Sequence, residues 1–360
     1  MSELFTYYRP IFYFLFFFTL VFFTVLINKI LLKFSTNMGV RNQEEVVRWT
    51  ATVKPALGGI SFFIMLILAV AGFLAYFPVN TLERFELFIF LSVCTMGFMM
   101  GLADDAYNTK PFMKFVVQFA CGFLFIYSGN YIKTTPYEWA NYALTIIWVV
   151  GLMNSINMLD NMDGITTVTS LGIIGGALGL MAMNGQTDSF WFAALLGLGA
   201  SLLGFLYHNW HPSKMYMGDS GSQLLGVFLA WIGVKVFWNG LDSFGEPVQA
   251  KQVIMAALMF LGPISDTTAV TINRLLRKQS PFVGGRDHTT HSLVYIGLAQ
   301  RHVAFVFLAI PLVSALICLF FVNLNPEWNV FYTIICGVYF FAVLGGLYYV
   351  TRTKQARAKL

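Results

Sequence analysis

Apolar runs broken by short polar stretches recur along the whole chain. A helix needs roughly 20 mostly apolar residues to cross the hydrocarbon of a bilayer. Eleven stretches approach that length: 11–31, 57–77, 86–103, 112–129, 141–159, 165–183, 189–207, 221–238, 252–275, 302–322 and 327–350. The pattern predicts an all-α polytopic membrane protein with about eleven transmembrane helices, read as a single integral-membrane domain over residues 1–360. No repeat, low-complexity tract or soluble domain interrupts it, and nothing suggests the inverted repeats of many transporters.

Composition sharpens this reading. The chain is 58% hydrophobic and 11% charged, against about 25% charged in a soluble domain. Most of its surface therefore does not face water. The first run is long and aromatic and lacks a small-residue cleavage site, so it is expected to be retained. Cys94, Cys121, Cys318 and Cys336 all lie inside apolar runs without CxxC spacing. They are expected to be small packing residues, not thiolate ligands or disulfide partners.

Charge supplies sidedness. With eleven spans the termini lie on opposite sides. One set of loops carries fifteen Lys and Arg, the other set four, and three fall within spans. Positive charge marks the cytoplasm, which places the amino terminus outside and the basic tail TRTKQARAKL inside. There the tail is also available to anionic headgroups.

The acids then fall into place. GLADDAYN (Asp104, Asp105), NSINMLDNMDG (Asn154, Asn157, Asp160, Asp163), MYMGDSGS (Asp219) and GGRDHTTH (Arg286, Asp287, His288, His291) all lie on the inner side. The outer loops carry single acids such as Glu83, Asp188 and Asp242, without companions. Carboxylates gathered at a bilayer repel unless something neutralises them. Hard oxygen ligands without thiols favour Mg²⁺, or Mn²⁺, which keeps open positions for phosphate. Lys110, Lys114, Lys214 and Arg286 beside the acids suit phosphate recognition, and the glycines and hydroxyls of MGDSGS open a helix that can receive an anion. These residues point to metal-dependent phosphate transfer at the inner membrane surface, with a lipid as one substrate. Asn157, Asp160 and Asp163, spaced by three, share one helical face.

Several polar residues also have a plainer reading. Asp163 is expected to cap the sixth span. Asp266, inside the ninth, is expected to tie helices together by a hydrogen bond. His208 and His211 flank Trp210 as interfacial anchors. Lys235 snorkels toward the outer surface.

The four clusters, in this order and on this side, resemble the polyprenyl-phosphate N-acetylhexosamine-1-phosphate transferases. The likeness runs from KPALGG at 54–59 to GGRDHTTH at 284–291. It implies transfer of a sugar-1-phosphate from a UDP-sugar to undecaprenyl phosphate, giving the lipid diphosphate-sugar and UMP in a bacterial inner membrane. It also implies roles. Asp104 and Asp105 position or deprotonate the lipid phosphate, and Lys114 meets the diphosphate. Asn157 and Asp219 hold Mg²⁺, and Asp163 reads the uracil. Arg286, His288 and His291 grip the diphosphate, while Lys54 and Asn154 join the substrate contacts. Asp160 is either a catalytic acid behind the metal ligands or a direct partner of the metal. Homodimers occur in the family, and no nucleic-acid partner is implied.

The last loop reads DHTTHS, where the pentapeptide-sugar enzymes carry three consecutive histidines. Its separated histidines favour UDP-N-acetylglucosamine as donor, although that type ends in a histidine pair and here Ser292 follows His291. UDP-N-acetylmuramoyl-pentapeptide or another UDP-N-acetylhexosamine as donor, an ion-coupled transporter and a nucleotide-sugar receptor without turnover stay open as alternatives. A phosphate monoester has its second pKa near 6, so the lipid nucleophile is largely ionised at neutral pH and Asp104 is expected to organise more than to deprotonate.

Overall fold

The computed structural model describes residues 2–37, 54–76, 80–245, 247–281 and 285–353. Among these the regular structure is helical, in the order α1 (Ser2–Asn37), α2 (Gly58–Tyr76), α3 (Thr81–Tyr107), α4 (Pro111–Tyr127), α5 (Glu138–Leu159), α6 (Ile165–Met183), α7 (Phe190–Asn209), α8 (Gly218–Ile232), α9 (Gln249–Met259), α10 (Leu261–Leu276), α11 (Thr289–Tyr295), α12 (Gln300–Leu316) and α13 (Val330–Thr351). α8 and α12 each continue into a π-helical segment, Gly233–Trp238 and Ile317–Val322. One isolated parallel bridge joins Ala56 to Tyr216. Residues 354–360, most of the basic tail, lie outside the described set.

All eleven predicted stretches contain helix. Nine helices among the described residues are long and apolar enough to cross a membrane by length and composition. The stretch at 112–129 forms the shorter α4, and that at 252–275 divides into α9 and α10, bent by 71°. The bend has a local cause. Pro263 lacks an N–H, so it cannot donate to the carbonyl of Met259, where α9 ends. It is accommodated instead in the first turn of α10.

α8 is the hub. Over an 18-residue stretch of its span 94% of residues are buried, against 17% over such a stretch of α1 and 11% for α13. It packs on α2, α3 and α5. Two glycines permit that approach. A Cβ on Gly101 of α3 would collide with the Asp219 carbonyl, and one on Gly226 of α8 would come within 2.7 Å of Met153 Cα of α5. Both obstacles are backbone and cannot swing aside. These contacts bring the ends of α3 and α5 onto the start of α8.

Away from that end the core is aromatic. Trp231 is fully buried and meets Phe125 edge-on at 4.7 Å and Phe90 at 5.4 Å. The four cysteines are free and buried, as the sequence suggested. The acids expected on the outer side are better partnered than expected. Glu83 forms a capping box with Asn80 at the start of α3, and its spacing is the usual one for that motif. Asp242 is buried against Lys251 at 2.7 Å. Lys235, expected to snorkel, pairs with Glu86 at 2.6 Å over the ring of Trp191.

Candidate functional site

The end of α3, the start of α4, the end of α5 and the start of α8 meet at one end of the bundle. Lys114 of α4 binds the Asp104 carboxylate directly and lies 3.3 Å from Asp219 Oδ2. Asp219 Oδ1 accepts from Asn157 Nδ2 at 2.8 Å, and the same amide reaches Ser222 Oγ at 2.8 Å. Asp104 Oδ1 accepts from the Thr109 amide at 2.8 Å and its hydroxyl at 2.6 Å. Three helices thus contribute one layer: Lys114, Asn157 and Asp219.

One turn deeper lies a second layer, made of amides. Gln118 and Asn154 bond each other, and Gln118 Nε2 reaches Gln223 Oε1 at 3.3 Å. Gln118 and Gln223 are fully buried. Sequence reasoning missed both, yet the signal was present. Each lies four residues beyond a site residue, Lys114 or Asp219, and therefore on the same helical face.

Asp105 faces another way. Its two carboxylate oxygens accept from the backbone N–H groups of Asp219 at 2.8 Å and Ser220 at 2.9 Å. It caps α8 from a neighbouring helix, satisfying donors that the helix start leaves orphaned. Both of its oxygens are thus turned to the start of α8.

Asp163 is also turned inward. Oδ2 accepts from Ser213 N at 3.0 Å and meets His211 Nδ1 at 2.9 Å, while Oδ1 accepts from Ser213 Oγ at 2.7 Å. Lys54 Nζ lies 3.6 Å from Oδ2 and 3.0 Å from Ser213 Oγ. Burial alone would raise the carboxyl, but the Ser213 and His211 hydrogen bonds and the Lys54 charge outweigh it and hold Asp163 below the usual carboxylate range. Its side chain is 4% exposed. Nor does Asp163 cap α6, where Gly164 stands at the cap position. His211, expected as an interfacial anchor, belongs to this cluster. His208 is buried, with Nε2 3.3 Å from the Val25 carbonyl of α1. Asp160 closes α5 and is half-buried beside Asn161.

The last loop docks onto the same end. Thr290 Oγ1 donates to Asn161 Oδ1 at 2.6 Å. Asp266 of α10 is fully buried and holds His288 Nδ1 at 2.7 Å, with Thr289 N and Oγ1 on its other oxygen. The expected tie is present, and it reaches into the His288 loop. Asp287 is clasped by Arg274 and Arg277. Burial would raise it, but the hydrogen bond and charge of Arg274, with His288 and Arg277, hold it low. His291 is buried, and desolvation with the nearby His288 pushes it down to about 4. Arg286 is exposed at the loop's edge.

The sequence profile of glycosyl transferase family 4 matches residues 87–237, which hold the first three clusters. A Bacillus subtilis protein named "Probable undecaprenyl-phosphate N-acetylglucosaminyl 1-phosphate transferase" is 29% identical over 291 residues, 77% of this chain and 75% of the relative. The undecaprenyl-phosphate alpha-N-acetylglucosaminyl 1-phosphate transferase of Yersinia pestis is 27% identical, covering 76% and 75%. The phospho-N-acetylmuramoyl-pentapeptide-transferase of Kosmotoga olearia is 27% identical, covering 61% and 68%. The chain is similar to the polyprenyl-phosphate N-acetylhexosamine-1-phosphate transferases through this profile and these relatives.

Read as a transferase, the polar end of the bundle can be sorted by donor type. Among the described residues no group of three His, Cys, Asp or Glu side chains is arranged to hold a metal. A cation at this end would rest on one or two protein oxygens, the manner in which Mg²⁺ is usually held. Asp219 Oδ1 and the Asn157 amide are the adjoining hard donors. Turning that amide over aims Oδ1 where Nδ2 now points, and the Ser222 hydroxyl can then donate to it instead of accepting. This donor set fits Mg²⁺ or Mn²⁺. Lys114, on the far oxygen of Asp219, leaves Oδ1 for the ion.

Proposed function

We propose that the protein transfers N-acetylglucosamine-1-phosphate from UDP-N-acetylglucosamine to undecaprenyl phosphate, at the cytoplasmic face of a bacterial inner membrane. The product is the first lipid-linked sugar of a cell-envelope polysaccharide. The observation that carries this reading is the Lys114–Asp104–Asp219–Asn157 layer at one end of the bundle. It pairs a phosphate-binding cation with hard oxygen donors beside apolar α4, whose Phe112 and Met113 are exposed. The names of the relatives support the sugar.

In the proposed reaction an oxygen of the lipid phosphate attacks the sugar-bearing phosphorus. The bond from that phosphorus to the oxygen bridging to UMP breaks, and UMP leaves with the electron pair. Lys114 is placed to bind the diphosphate oxygens while Asp104 and Asp219 hold its ammonium in position. Asp104, whose oxygens are already occupied by Thr109 and Lys114, fixes the lysine and is not needed as a base for an ionised nucleophile. Arg286 contributes positive charge and hydrogen-bond donors from the last loop and His288 a ring nitrogen, and His291 lies at a ring separation of 5.7 Å from His288. Asn157 and Asp219 would hold Mg²⁺, which when bound offsets the charge of the diphosphate and of departing UMP. Asp160, whose backbone N–H bonds the Asn157 carbonyl at 3.3 Å, would support these ligands. In such transfers positioning and electrostatics do most of the work.

A donor panel tests the sugar. The purified protein is incubated with undecaprenyl phosphate and radiolabelled UDP-N-acetylglucosamine or UDP-N-acetylmuramoyl-pentapeptide. Labelled lipid from the first and not the second is expected. The reverse pattern rejects the N-acetylglucosamine assignment.

A further inference from the structure

The charged layer stands on an amide layer built from the same three helices. Gln118 lies four residues beyond Lys114 on α4, Gln223 four beyond Asp219 on α8, and Asn154 three before Asn157 on α5. α4 and α8 lead away from the site and α5 leads toward it. Each step therefore goes one turn deeper on the same helical face.

The amide layer has a fixed direction. Asn154 Nδ2 donates to the Val150 carbonyl at 2.8 Å, which only the nitrogen of that amide can do. The same nitrogen donates to Gln118 Oε1 at 2.8 Å, and Gln118 Nε2 returns a bond to Asn154 Oδ1 at 3.3 Å, a reciprocal pair. Gln118 Nε2 also donates to Gln223 Oε1 at 3.3 Å. Gln118 is thus held by three bonds to two other helices. Gln223 Nε2 is left buried without a partner. Apolar side chains of similar size would avoid that cost, so stability does not account for the layer. A directional network that specifies one arrangement does.

The packing of α4 shows which arrangement is specified. This helix lies along α3 and α5. Its side chains bridge to α8 at three levels: Lys114 to Asp219, Gln118 to Gln223, and the Phe125 ring on Trp231. The first bridge cannot keep the register during the reaction, because the Lys114 ammonium is the group that meets the diphosphate. When substrate draws on that charge, the bonds of Gln118 still tie α4 to α5 and α8 one turn below.

We propose that Gln118 is a positioning residue for the transfer: through Asn154 and Gln223 it holds Lys114 in register with Asn157 and Asp219. The inference rests on Lys114 acting in the reaction proposed above.

The test follows UMP release and melting temperature together in the full-length protein in detergent. Methionine keeps the length of glutamine without its hydrogen bonds. In Gln118→Met, kcat is expected to fall about 10- to 100-fold, the effect of a small misplacement near reacting atoms, with KM for UDP-N-acetylglucosamine within about twofold of wild type. The melting temperature falls as well, because Gln223 and Asn154 lose a partner. Gln118→Met with Gln223→Met removes the stranded amide and should recover most of the melting temperature while kcat stays low. That paired variant carries the kcat comparison if the single one does not fold. Gln118→Met combined with Lys114→Met should lose no more than Lys114→Met alone, since a residue acting through Lys114 then has nothing to position. Three results overturn the inference and leave the transfer reaction standing. They are wild-type kcat in Gln118→Met, a kcat that returns with the melting temperature in the paired variant, and a full further loss in the Lys114→Met background. A wild-type protein that releases no UMP overturns the proposed reaction and this inference together.

Discussion

Asn157, near the end of α5, donates to Asp219 in the first turn of α8 across 2.8 Å, although 62 residues separate them in sequence. The bond is the seam along which two helices present hard oxygen donors to one point, and its loss reports on the proposed cation site. In Asn157→Ala the Mg²⁺ concentration giving half-maximal UMP release is expected to rise about 10- to 100-fold, the range for losing a group that holds a metal or its ligand. A titration of initial rate against Mg²⁺ checks this. An unchanged Mg²⁺ dependence removes Asn157 from the site.

Asp105 tests the difference between a cap and a catalyst. It accepts from the Asp219 and Ser220 amides at the start of α8. An Asn there can accept with only one of its two terminal atoms, so Asp105→Asn should cost about 1–2 kcal/mol of stability. The expected readout is a lower melting temperature with activity reduced in proportion to the folded fraction. A loss of a thousandfold in rate at an unchanged melting temperature would support the chemical role suggested by the paired aspartates.

Much of this arrangement was legible in the sequence, and what was not has physical reasons. Period and run length marked the helical stretches, because lipid exposure demands apolar side chains over a fixed length. Clustering of Asp and Asn on one predicted face marked Asp104, Asn157 and Asp219, and the structure brings these three together with Lys114. Side-chain direction was not legible. Asp104 and Asp105 are adjacent in sequence, but one turns to Lys114 and the other to the α8 amides, a choice set by the Gly101 crossing. Asp163 and His211 looked like a cap and an anchor because their pairing spans 48 residues and depends on a loop that only the fold brings back. The bend between α9 and α10 was signalled by Gly262 and Pro263 but hidden within a continuous apolar run.

The Asp287 clasp predicts a pH dependence. Its folded-state carboxyl is held below the unfolded value by Arg274 and Arg277, so its stabilisation is fully present above the unfolded pKa of about 3.9 and is lost as pH falls through the lower folded value. The melting-temperature gap between the wild-type protein and Asp287→Asn should therefore be constant from about pH 8 to pH 5 and close below about pH 4. A gap that instead widens in acid would contradict the direction of the shift.

The proposed sidedness can be read with thiol labels, because all four native cysteines are buried and give a quiet background. Lys133 precedes α5 and Lys214 follows α7, and both side chains are exposed. They lie beyond opposite ends of the 22-residue α5, about 33 Å long at 1.5 Å per residue. In whole cells an impermeant maleimide should label Lys133→Cys and spare Lys214→Cys until the membrane is opened. Labelling in the opposite order inverts the topology and moves the site to the outer face.

The central claim is that the sugar travels with its phosphate. The most direct measurement identifies the nucleotide released when the purified protein meets UDP-N-acetylglucosamine and undecaprenyl phosphate. UMP is predicted, in one-to-one amount with a lipid carrying both the sugar and the donor's β-phosphorus, and its release should fall at least a hundredfold in Lys114→Met. Release of UDP instead, or UMP release that survives in Lys114→Met at the wild-type rate, would contradict the account.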